Sequence, residues 1–110
     1  MLTRDAFLAA ATLAKEAVEI PALGGSAYVR TMTAGERDRF EAEHLKDPSR
    51  DFRARVAVAT LCDEEGRLLF AAADVPALSA IPYAALDPVV EVAMRLSRIG
   101  AADVKALEGN

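Results

Sequence analysis

A small α+β domain, mainly helical, with four to six helices and one short β-hairpin near residues 17–30, is the fold class this sequence predicts. Three observations predict it. Val89, Val92, Ala93, Leu96 and Ile99 recur at helical spacing and make an apolar stripe. Thr33-Ala34-Gly35-Glu36 has the spacing of a helix-opening capping box. Between Ala17 and Arg30, two short segments rich in β-branched and aromatic residues flank a Pro and a Gly pair. A length of 110 residues suits one domain, so residues 1–110 are expected to fold as a unit.

The first helix is expected to start at Thr3, whose hydroxyl can cap it, with Asp5 favouring the dipole of the first turn. Its body, Phe7 to Ala14, is apolar around nearly the whole circumference. Two readings stay open for it: burial on two sides, or one face, carrying Leu8, that awaits a partner. Ala17-Val18-Glu19-Ile20 and Ser26-Ala27-Tyr28-Val29-Arg30 then form the hairpin, with the turn in Pro21-Ala22-Leu23-Gly24-Gly25. A lone hairpin is marginal in water, so it has to pack on helices or pair with something else.

The capped second helix runs to about Lys46 and is highly charged, with Phe40 and Leu45 as its main large apolar residues. Arg37 and Glu41, like Arg39 and Glu43, stand four apart and can pair. Asp47-Pro48-Ser49 separates it from a third helix, Ser49 to Cys62, with Ser49 or Asp51 near the cap. The half from Val56 to Cys62 is apolar all round and belongs at the centre of the domain. Asp63 to Arg67 reads as a turn and Leu68-Leu69-Phe70 as a short extended piece packing back. Asp74 caps a short helix through Ala80, with Pro76 in its first turn. After Pro82 comes a longer helix ending near Ile99, whose start is ambiguous because Asp87-Pro88 is itself a good cap pair. Gly100 opens a last short helix, Ala101 to Leu107, with Val104 and Leu107 on one side.

Charge and composition narrow the function. Apolar residues make up 53% of the chain, which excludes global disorder, although many are alanines that bury little area. Thirteen basic residues face seventeen acidic ones, interleaved, for a net charge of −4. The densest basic stretch, Arg50 to Arg55, holds three arginines and an aspartate. A nucleic-acid partner normally demands a basic stripe, so none is expected. Cys62 is the sole cysteine, no signal-peptide pattern opens the chain, and Phe7–Ala14 is too short to span a bilayer. The protein is expected in the cytoplasm, away from membranes.

Catalytic constellations are not found in the sequence. Glu41 and His44 have the Glu-x-x-His spacing of dimetal bundles, but a second copy would need a second histidine and the chain has one. Cys62 ends an apolar segment, where a thiol is usually inert packing. Glu64 and Glu65 lie in a turn with nothing apolar alongside, and no phosphate-loop or dinucleotide fingerprint occurs. An anion-binding enzyme built on the arginines around Arg53 is the catalytic alternative, and a solvated face explains those arginines equally well. No catalytic residue, metal or cofactor is expected.

The order of segments resembles the small tail assembly chaperones of long-tailed, non-contractile bacteriophages and prophages. The resemblance is carried by Gly24 to Arg30 followed by Thr33 to Glu41, by Leu61 to Phe70, by Asp74 to Leu78, by Val92 to Ser97 and by the ending Asp103 to Asn110. It runs over nearly the whole chain through order and spacing, without a diagnostic motif. Gly100 departs from the polar cap that often precedes the last helix in such proteins. The resemblance implies an adaptor that coats the tape measure protein, helps bring tail tube protein to it, self-associates, and leaves before the tail is complete. In many relatives a programmed frameshift adds a C-terminal extension, and a chain ending at Asn110 would correspond to the short form. A structural subunit retained in the tail or head-tail connector is the alternative. Helix-in-groove recognition uses apolar anchors at helical spacing. Phe7, Leu8 and Leu13, with Val104 and Leu107 as a second patch, are the expected protein-binding residues, the bland reading being that all five are ordinary core.

Overall fold

The computed structural model describes residues 1–10, 13–48 and 50–97. Five α-helices and a three-stranded antiparallel sheet make up the described part, in the α+β class expected. Helix α1 (Arg4–Ala9) opens on Thr3, whose hydroxyl accepts the Ala6 N–H at 3.2 Å. The helix is shorter than its apolar run, and none of its residues is buried. Without a packed face a single short helix has only marginal intrinsic stability, which accounts for its two turns at most.

Strands β1 (Lys15–Ile20) and β2 (Gly25–Arg30) form the hairpin in continuous register, from Lys15 opposite Arg30 to Ile20 opposite Gly25. A single 3-10 turn, Pro21–Leu23, joins them and closes on Gly24 at φ 68°. A Cβ there would meet nothing within 4 Å, so the left-handed backbone, not space, calls for glycine. Val18, Ile20 and Val29 turn inward, whereas Lys15, Ala17 and Glu19 face solvent.

Helix α2 (Ala34–Lys46) starts with the full capping box, Thr33 and Glu36 each satisfying the other's backbone N–H. Arg37 pairs with Glu41 at 2.8 Å. The inward face differs from expectation: of the two large apolar residues Phe40 is buried but Leu45 is exposed, and His44 is buried beside Phe40 in its place. The helical period explains the exchange. From Phe40, residue 44 lies roughly 40° around the axis and residue 45 roughly 140°.

Helix α3 (Phe52–Thr60) is central as expected, with Ala54, Val56, Ala57 and Val58 buried. Asp51, one of the two residues expected near its cap, holds the cap position, but in the left-handed region (φ 48°) and with no side-chain capping bond; Ser49 lies outside the described residues. The helix also stops at Thr60, whose hydroxyl donates to the Val56 carbonyl at 2.7 Å. Leu61–Cys62 becomes strand β3, pairing with Val29 and Tyr28 of β2. Two sheet partners outweigh one further helical turn for these residues, a tertiary override of local preference.

Asp63 ties the following turn by accepting the Glu65 and Arg67 N–H groups, each at 2.9 Å. Leu68 then bridges to Cys62, and the Leu69 N–H donates to Leu61, so this piece packs back as read from sequence. A 3-10 turn, Ala72–Asp74, leads into helix α4 (Val75–Ser79), and the Asp74 carboxylate reaches back to the Ala71 N–H at 2.8 Å. Helix α5 (Tyr83–Ser97) runs straight through Pro88. That proline sits one turn and a half into the helix, and the carbonyl it leaves without a donor belongs to exposed Ala84. Ala85, Leu86, Val89, Val90 and Ala93 bury the helix against α3 and the sheet. Ile99, Val104 and Leu107, with the expected last helix, lie outside the described residues.

Candidate functional site: exposed apolar surface

Apolar surface left without intramolecular cover is what a protein-binding chain has to offer, and among the described residues it gathers in two places, apart from the singly exposed Leu23, Leu45 and Leu69. The first is the N-terminal arm. Phe7 is 69% and Leu8 61% exposed, and Met1 and Leu2 ahead of them are more exposed still. Burial of α1 on two sides, one of the readings from sequence, does not hold for its residues Arg4–Ala9. Leu13, where the arm joins the body, is half-buried. Of the five residues named from sequence, Phe7 and Leu8 therefore sit together on one short helix, Leu13 at its root, and Val104 and Leu107 outside the described part.

The second place escaped the sequence reading. Phe52, Ala54, Leu78 and Leu86 floor an open groove of about 260 Å³, with Ile81 and Tyr83 on its rim and Asp51 and Arg53 at its polar side. Tyr83 is 69% exposed. A tyrosine projecting beside an apolar floor has the make-up of a protein-recognition anchor, a rigid ring with a polar end. The available signal was Ile81-Pro82-Tyr83, a pair of large apolar residues astride a helix break where no core periodicity demands them.

The arginines around Phe52 have structural occupations. Arg53 Nε lies 2.5 Å from Asp87 Oδ1, linking α3 to α5. Arg55 donates to the Arg50 and Asp47 carbonyls at 2.7 and 3.2 Å, and its guanidinium lies 5.8 Å from the Phe40 ring centre. The corner between α2 and α3 is thus stitched by side chain to backbone.

Shifted titration also has local causes. The Arg30 guanidinium holds the Glu36 carboxyl below the usual glutamate range, against the opposing pull of partial burial. Arg95 does the same for Glu16 across α5 and β1, and the N–H of Arg67 for Asp63. Burial pushes the Cys62 thiol up, away from the thiolate form in which a cysteine acts as a nucleophile. The Glu36, Glu16 and Asp63 carboxylates are each engaged in holding two elements together or in closing a turn. Among the described residues no three His, Cys, Asp or Glu side chains converge as metal ligands would, and no helix is long and apolar enough to cross a membrane.

No protein-family model matches the chain, and no curated sequence is similar to it. The chain is similar to a solved structure, that of the tail assembly chaperone of bacteriophage HK97, with a TM-score of 0.60 over 82% of this chain and 89% of that one. Sequence identity between the two is 18%, so the likeness is one of backbone architecture. Helices, hairpin and sheet of this chain together make a phage tail assembly chaperone-like fold.

Proposed function

We infer that this chain is a phage tail assembly chaperone, which binds the tape measure protein and helps recruit tail tube subunits during tail morphogenesis. The observation that carries the reading is the architecture shared, over most of both chains, with the tail assembly chaperone of bacteriophage HK97. Fold by itself does not dictate function, so surface chemistry has to agree with it. It does so in one respect: an exposed apolar arm and a groove rimmed by Tyr83 suit reversible contact with an amphipathic helix. Phe7, Leu8 and Leu13 are the proposed contact residues on the arm, with Val104 and Leu107 as a second patch. Self-association and a non-enzymatic, cytoplasmic role belong to the same reading.

The test is affinity purification of the tagged chain from the cell that makes it, followed by mass spectrometry. Co-purification of a very long helical protein and of the tube subunit is the expected outcome, and it should be lost in a Phe7→Ser/Leu8→Ser double variant that still folds. Presence of the chain in purified, finished particles would favour a retained structural subunit instead. Recovery of neither phage protein would overturn the reading.

A further inference from the structure

A second groove, sharing no lining residue with the one beside Tyr83, lies between α2, α3 and the segment that follows β3. Its volume is about 210 Å³, and Phe40, Val58, Leu68 and Phe70 make its apolar floor. A cavity of roughly 150 Å³ is enough for a benzene ring, so the groove has room for one aromatic or large aliphatic side chain.

Charge sets this groove apart in a chain whose net charge is −4. The charged side chains that line it are Glu36, Arg39 and Arg55. Glu36 is already neutralised, since Arg30 donates to both of its carboxylate oxygens, at 3.0 and 2.8 Å. Arg55 donates to two backbone carbonyls, which occupy its N–H groups without cancelling its charge. Arg39 is exposed and has neither an ion pair nor a hydrogen bond among the described residues. Glu43, the partner its spacing suggested, lies 3.9 Å from Lys46 instead. The Arg39 side chain folds back along α2, its Nη1 3.7 Å from where a Cβ on Gly35 would stand. Two uncompensated positive charges thus flank an apolar floor.

We propose that this groove binds a short, extended, acidic segment of a partner protein. A glutamate or aspartate of the segment pairs with Arg39, and an aromatic or large aliphatic side chain two residues away fills the floor. Residues two apart in an extended chain share a face, so both reach the groove together. The planar guanidinium matches a carboxylate with two parallel hydrogen bonds, which a neutral amide cannot reproduce. Arg55 adds a second positive charge that favours the acidic segment and repels a basic one. Room for a single side chain suits an extended segment, because a docked helix needs several anchors along a longer groove. The site goes beyond the phage-tail reading: Phe7, Leu8 and Tyr83 take no part in it, and its test needs no phage protein.

The probe is the tripeptide acetyl-Glu-Ala-Phe-amide, whose blocked ends leave the side-chain carboxylate as its sole charge. Titrated at low salt into the isotope-labelled full chain, it should give saturable amide shifts centred on Phe40, Val58 and Phe70. Acetyl-Gln-Ala-Phe-amide should bind about fivefold more weakly, the scale of one exposed ion pair, and the lysine analogue more weakly still. Arg39→Gln should erase the preference for the glutamate peptide over the glutamine one, and Arg39→Glu should reverse the order of the glutamate and lysine peptides. Arg39 is exposed and unpaired, so both variants keep the fold, and amide shifts away from the groove check that they do. Absence of a saturable shift at millimolar glutamate peptide, equal binding of the glutamate and glutamine peptides, or shifts centred beside Tyr83 would overturn the proposal. So would tighter binding of acetyl-Gln-Ala-Phe with a free C-terminus, which would assign the groove to a chain end. Failure to recover phage proteins in the affinity purification leaves each of these outcomes unchanged.

Discussion

Replacing Glu36 by alanine tests how β2 is fastened to α2. Arg30 closes the strand and is only 5% exposed, and its Nη1 and Nη2 donate to Glu36 Oε1 and Oε2 at 3.0 and 2.8 Å. Nη1 also donates to the Thr31 carbonyl at 3.0 Å, while its Nε is buried without a partner. The same carboxylate accepts the Thr33 N–H at 2.8 Å and completes the capping box. Glu36→Ala therefore strands a buried guanidinium and opens a helix terminus in one step. Removing one member of a buried ion pair costs about 3–5 kcal/mol. Glu36 retains 20% side-chain exposure, so water relieves part of that and brings the pair below the range, to about 2 kcal/mol. Loss of the reciprocal cap adds up to about 1 kcal/mol, for a total of about 3 kcal/mol. For a domain of this size the melting temperature should fall by about 10–15 °C.

Urea denaturation of wild type, Glu36→Ala, Arg30→Met and the double variant checks the account. Arg30→Met removes the buried charge, so Glu36→Ala in that background should cost only the cap, about 1 kcal/mol or less. The coupling between the two sites should thus be about 2 kcal/mol. A single-variant loss below about 1 kcal/mol, or equal costs in the two backgrounds, would refute the idea that the pair fastens strand to helix.

Three further outcomes are expected. Because Arg30 depresses the folded-state titration of Glu36, its contribution is fully present above the ordinary glutamate value of about 4.3 and is lost as pH falls through the depressed one. Stability measured against pH should accordingly fall on the acid side in wild type with a steeper slope than in Glu36→Gln. His44 is 4% exposed, both ring nitrogens lack a partner, and its ring centre lies 6.1 Å from that of Phe40 and 5.5 Å from that of Phe52. His44→Leu should consequently stabilise the domain by about 1 kcal/mol in urea unfolding, and a loss of that size would show that the imidazole contributes something no carbon skeleton replaces. Phe7→Ser/Leu8→Ser should change stability by less than about 0.5 kcal/mol, since neither side chain is covered, and a larger loss would mean the arm packs on the body in solution.

Local signals carried the reading of the elements. Thr3 and Thr33 open helices because a cap is a contact between a hydroxyl and an N–H three residues away. The hairpin turns at Gly24 because its backbone needs a positive φ. The third helix also falls at the centre, where its apolar second half placed it. These features depend on neighbours in sequence, and sequence lists neighbours.

What tertiary structure decided is of another kind. Leu61 and Cys62 continue an apolar helical pattern, yet they leave it because Tyr28 and Val29 offer a strand edge, more than thirty residues away. His44 goes inside and Leu45 outside because α3 meets α2 on the face that Phe40 selects. Helix α5 passes through Pro88 because the unpaired carbonyl falls on the solvent side. The candidate surface divides the same way: composition marked Phe7 and Leu8 as surplus to one helix's share of a core, but only the packing showed that both stay mostly exposed. The groove beside Tyr83 is assembled from α3, α4 and the start of α5, three segments whose meeting no local pattern records. Burial is a property of the assembled chain, because it is set by which distant side chains arrive to displace water.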